Sequence, residues 1–217
     1  MAPDQMNLKE EAAIVFNRLE RLYPNAKTAL VWSTPMELLV AVILSAQCTD
    51  KRVNKVTADL FKKYRSAADY AVADEQTLEN DIRPTGFFRN KTMSIIGSAR
   101  IIAEKYDGEP PKTMPEMLGL PGIARKSANI ILAESYGIIE GIPVDTHVKR
   151  LTNRLGLTSQ SNPEKIESEL MNIVPRKHWY YFSSVLIYHG RSVCTARKPR
   201  CDICVLSDIC PSSAMPS

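Results

Sequence analysis

The chain is expected to be all-α. Three observations lead there. Apolar residues recur three and four apart through most segments. Capping and stop residues bound those segments. No stretch keeps up the alternation of a half-buried strand. At 217 residues and 44% hydrophobic content the chain can bury a core in one or two domains.

The elements follow in order. Leu8, Ala12, Val15, Phe16, Leu19 and Leu22 place a helix at 6–22. TPMELLVAVILSAQ, 34–47, opens on a threonine cap with Pro35 in the first turn. It is apolar nearly all round, which predicts a buried helix. Asp50 is expected to cap the next helix, running to about Arg65. Two short helices cover 66–72 and 74–82, and a long one runs from Phe88 to Tyr106. Helices at 115–119, 124–136, 146–155, 163–173 and 178–192 complete the chain. There is no internal repeat, low-complexity tract or linker, and composition does not locate a domain boundary.

Composition limits the function classes. The first residues, MAPDQMNLKEEAAI, lack the basic and apolar regions of a signal peptide. The apolar run LLVAVILSA is far shorter than the ~20 residues that cross a bilayer. A soluble cytoplasmic protein is expected, with reduced thiols and no membrane contact. The net charge is +4, and residues 189–200 carry Arg191, Arg197, Lys198 and Arg200 with no acid. The rest of the chain sums to zero, so the excess is local and points to a polyanion partner.

Four of the five cysteines crowd into that region. Cys194, Cys201, Cys204 and Cys210 are spaced C-x6-C-x2-C-x5-C. Reduced surroundings disfavour disulfides. A zinc site usually has two paired knuckles, and here there is one. Four thiolates converging on one object also suit an iron–sulfur cluster. The spacing alone leaves zinc and iron–sulfur open.

Taken with two further stretches, the pattern resembles the endonuclease III family of DNA glycosylases. LGLPGIARKSANIIL, 118–132, is similar to that family's helix-hairpin-helix motif, with Ala124 where the second glycine usually stands. A tight turn opening a helix gathers backbone N–H groups and the positive end of a helix dipole, which suits a phosphate. Alanine at 124 is harmless if that residue is already helical and strained if it needs a positive φ; the helical case is expected. GIPVDTHVKRL, 141–151, puts Asp145 at a helix N-cap and carries the family's V-D-T-H. Segments LSAQCTDKRVN and TGFFRNK match as well.

The resemblance implies a great deal. The fold would be two-lobed, with a helix-hairpin-helix domain at 29–139 and a second lobe from 1–28 plus 140–217. A cleft between them would set Lys126, the catalytic lysine, opposite Asp145, the catalytic aspartate. The four cysteines would hold a structural [4Fe-4S] cluster, and Arg197, Lys198 and Arg200 would lie on DNA phosphates. Gly122 and Ala124 would shape the hairpin's phosphate contact. Glycosylases extrude the target nucleotide; Gln47 would fill the gap and Phe87 would wedge beside the widowed base. Apart from the resemblance, Cys48 and Phe88 are expected to be buried and His147 to be structural.

The implied activity is base excision repair by a monomer acting on double-stranded DNA with damaged pyrimidines or abasic sites. Lysine attack at C1′ displaces an oxidised pyrimidine and β-elimination cuts the strand. A nucleophilic amine must be neutral, whereas an ordinary lysine titrates near about 10.4. A helix N-terminus and burial both disfavour an ammonium. Alternatives are an adenine- or thymine-mismatch glycosylase of the same superfamily, or a non-enzymatic iron–sulfur DNA-binding protein.

Overall fold

The computed structural model of the chain describes residues 3–213. Among them are eleven α-helices, short 3-10 turns and no strand. They form two compact units, 29–140 and 1–28 with 141–217. Residues 1–2 and 214–217 lie outside the described residues.

The unit 29–140 is built around α2, Pro35–Ser45. Its start is set locally: Thr34 Oγ1 accepts from the Glu37 amide at 3.2 Å while Glu37 Oε2 accepts from the Thr34 amide at 3.3 Å. This reciprocal pair satisfies two otherwise orphaned donors. Leu38, Leu39, Val40, Ala41 and Leu44 are completely buried. Burying each Leu or Val contributes about 1.5–3 kcal/mol, and a charge at Val40 would meet core on every side. The helix stops two residues earlier than expected because the chain turns left-handed at Gln47, φ 52°.

Around α2 pack α3 (Asp50–Lys63), α6 (Phe88–Lys105) and α8 (Arg125–Tyr136), with α4 (Ala67–Ala71) and α5 (Glu75–Ile82) against α6 and α7 (Met114–Leu118) against α8. The cap of α3 is Thr49, whose hydroxyl accepts from the Arg52 amide, and not Asp50 as expected. Asp50 is instead the first helical residue, where a carboxylate suits the dipole. Ser66 and Asp74 cap α4 and α5.

The other unit joins α1 (Pro3–Leu22) with α9 (Thr146–Arg154), α10 (Pro163–Ile173) and α11 (Trp179–Ser192). Leu19, Val148, Leu151, Ile166, Leu170, Phe182 and Leu186 fill its core. Leu22, the last of the apolar positions that place α1, is exposed at the helix end.

Candidate functional site: a lysine hairpin, a capped aspartate and a four-cysteine loop

The hairpin 119–124 rests on a face of α6 made only of small residues. Ser98 Oγ donates to the Pro121 carbonyl at 2.8 Å. A Cβ on Gly97 would lie 3.2 Å from Pro121 Cγ. Gly122 has φ +78°, and a Cβ there would come within 2.7 Å of Ser94 Cβ and Oγ. Only glycine meets both demands. Leu120 and Ile123 anchor the hairpin on either side, buried in the core.

Ala124 is neither helical nor left-handed. It is the extended N-cap of α8, φ −98° and ψ 168°, a conformation alanine adopts without strain. The helical expectation is corrected, and the departure from the usual glycine does not disturb the turn. No side chain caps α8. Lys126 is its second residue and is exposed.

Asp145 is the N-cap of α9. Its Oδ1 accepts from the His147 and Val148 amides, both at 2.8 Å. The preceding segment is held by Ser183 Oγ, which donates to the Pro143 carbonyl at 2.6 Å. Two bonds to one oxygen fix the carboxylate's rotamer and leave Oδ2 outside the cap. His147 packs half-buried, with Nδ1 3.2 Å from Arg150 Nη2. Burial pushes its pKa down, the Asp145 charge opposes this, and Arg150 and Arg191 reinforce it.

The four cysteines line one cavity together with Arg154, Val193 and Arg200. None of them is in a disulfide. Four thiols lining one cavity are a donor set that suits a polynuclear iron–sulfur group. Burial and the neighbouring sulfurs push the Cys204 and Cys210 pKa values up, so cationic iron is what would favour their thiolates.

Sequence reasoning did not single out the arginines that hold this loop. Arg154 Nη1 donates to Cys194 Sγ at 3.2 Å and to the Thr195 carbonyl at 2.9 Å, and its Nη2 reaches Ala196 O at 2.9 Å. Arg150 Nη2 donates to the Gly190 and Cys194 carbonyls. Arg18 pairs with Asp208 through both nitrogens, at 2.5 and 3.0 Å. Their only sequence signal is the four-residue spacing of 150 and 154, which puts both on one face of α9. His189 Nε2 lies 3.3 Å from Cys204 Sγ, and burial takes its pKa down to about 4. Arg197 and Lys198 are exposed. Arg200 is exposed too, but it donates to the Ser192 carbonyl, so part of its guanidinium is committed to the loop itself.

Gln47 and Phe87 are both left-handed, at φ 52° and 48°. Both are exposed, Phe87 by 62%. A non-glycine residue in that region costs on the order of 1–2 kcal/mol, and an aromatic one is a genuine outlier. Phe88 and Cys48, expected to be buried, are half-buried against the core.

An all-helical fold, a hairpin opening a helix at a lysine and a four-thiol loop together define the class of helical iron–sulfur DNA repair proteins. Residues 40–176 match the HhH-GPD superfamily of base excision DNA repair proteins, and residues 194–210 match the iron–sulfur binding domain of endonuclease III. Endonuclease III of Synechocystis is 53% identical over 205 residues, 94% of each chain. A non-covalent endonuclease III–DNA complex and a trapped endonuclease III–DNA covalent intermediate each superpose with a TM-score of 0.90 at 39% identity, covering 94% of this chain and 96% of theirs. The chain belongs to the endonuclease III family. It is accordingly a base excision repair enzyme, a DNA glycosylase and AP lyase that binds DNA and carries an iron–sulfur cluster.

Proposed function

We propose that this enzyme acts as a monomer on duplex DNA containing oxidised pyrimidines or abasic sites, with Lys126 as nucleophile and Asp145 as its carboxylate partner. The observation that carries the reading is the exposed Lys126 in the first turn of α8, directly after a turn that only glycine can make. The lysine's neutral amine attacks C1′ of the extruded nucleotide. The C1′–N bond breaks, and the base leaves with the bonding electrons and takes up a proton. An imine forms between Lys126 and the opened sugar. Loss of a C2′ proton then expels the 3′ phosphate by β-elimination, and water releases the lysine.

Asp145 has one oxygen locked by two amides, so its charge is held in place while positive charge builds at C1′. Gln47 fills the vacated space and Phe87 wedges beside the opposite base. The backbone around Gly122 and Ala124, with no side chain capping α8, supports a phosphate contact. Arg197, Lys198 and Arg200 are assigned to further phosphates. The cysteine set 194, 201, 204 and 210 is assigned a [4Fe-4S] cluster, which would cross-link a loop with little apolar content.

Borohydride trapping tests the central assignment. Reduction of the imine should leave the protein covalently bound to abasic DNA. Lys126→Gln should abolish trapping and strand cleavage while lesion binding survives. Trapped complex at wild-type levels from that variant would mean another amine performs the attack.

A further inference from the structure

Lys91 is the most deeply buried charged residue type in the unit 29–140, at 5% exposure, and nothing in the proposed chemistry uses it. Its Nζ donates to the Leu44 carbonyl at 2.8 Å and to the Thr85 carbonyl at 2.9 Å. Its backbone amide donates to the Phe87 carbonyl at 3.1 Å. Each partner has a specific place. Leu44 O belongs to the last turn of α2, three residues before Gln47. Thr85 O ends the 3-10 turn, two residues before Phe87.

Both turns reach a left-handed non-glycine residue with an exposed side chain. Strained backbone persists only where its surroundings over-determine it. An apolar side chain at 91 would fill the same space and leave two buried carbonyls without this donor. A core lysine that served packing alone would have no reason to bridge these two particular turns.

We propose that Lys91 is a positioning residue that ties the Gln47 and Phe87 turns into one rigid element and presents both side chains to the duplex together. The inference rests on the reading of Gln47 and Phe87 as duplex-entering residues. Lys91 itself touches no DNA. Its contribution is to hold a geometry ready before binding, so that flipping does not have to order two loops as well.

The test separates flipping from chemistry. Holoenzyme Lys91→Met is compared with wild type on two probes: an abasic site opposite 2-aminopurine in a duplex, and the same abasic oligonucleotide single-stranded. Cleavage of the duplex should fall about a hundredfold, the scale of a small misplacement in a site. The 2-aminopurine fluorescence rise should be lost with it. Borohydride trapping on the single strand should fall by no more than about twofold, since nothing has to be displaced there. In a Gln47→Ala/Phe87→Ala background, adding Lys91→Met should change duplex cleavage by no more than about twofold.

Equal loss on both probes would show a general structural role and overturn the inference. So would full duplex activity in Lys91→Met alongside a loss in Gln47→Ala/Phe87→Ala. Unchanged duplex cleavage and fluorescence in Gln47→Ala/Phe87→Ala would instead sink the reading of those two residues. If Lys91→Met does not fold, Lys91→Gln, which keeps an N–H donor, is scored by the same duplex-to-single-strand ratio, with a smaller duplex-selective loss expected.

Discussion

Gly122→Ala perturbs the hairpin in two separable ways. The added Cβ sits at φ +78°, which costs about 1–2 kcal/mol. It also meets Ser94 Cβ and Oγ at 2.7 Å, and the Cβ is not a flexible end that can swing away. Overlap of that kind costs about 1–3 kcal/mol. Together they destabilise the unit by about 3 kcal/mol, which for a protein of this size lowers Tm by roughly 6–12 °C. Ser94→Gly removes both clashing atoms, at about 1 kcal/mol for glycine within α6. In the double variant the overlap vanishes and the φ cost stays, so thermal melting of all four proteins should show a favourable coupling of about 1–3 kcal/mol. Ala124→Gly is the control. Glycine caps a helix better than alanine but has a more flexible unfolded state, so stability should move by about 0.5 kcal/mol at most. A Gly122→Ala protein melting within about 2 °C of wild type, or a cycle with no coupling, would refute this account of the turn.

Asp145→Asn keeps the cap of α9, so melting should hold while single-turnover base release slows by about a hundred- to a thousandfold; Asp145→Ala should lose about 1 kcal/mol of stability as well. Arg197→Ala and Lys198→Ala should each flatten the plot of log affinity against log salt by about 0.9, and unchanged slopes in a salt titration would remove these residues from the DNA contact. Because burial holds the His147 pKa below its unfolded value, the folded state binds fewer protons than the unfolded one on mild acidification. Stability associated with this residue is therefore present above about pH 6.5 and lost as pH falls below it; His147→Gln should flatten that part of a pH–Tm profile.

What the sequence determined by itself was local. Thr34 with Pro35, the aspartate at 145 and the apolar spacing of each helix act within a turn or two of the chain, so residue order alone decides them. The spacing of Cys194, Cys201, Cys204 and Cys210 likewise puts four thiols within one short stretch of chain. Tertiary structure decided what depends on residues far apart. Ala124 could be judged only once α6 was seen beneath the hairpin, because Ser94, Gly97 and Ser98 set the approach that demands glycine at 122 and leaves 124 extended. Arg150 and Arg154 read as ordinary surface arginines until their partners, some forty residues on, were in view. Lys91 reads as one more solvated lysine, since most are. Its burial follows from two carbonyls, one of them 47 positions away, that need a donor where water cannot reach.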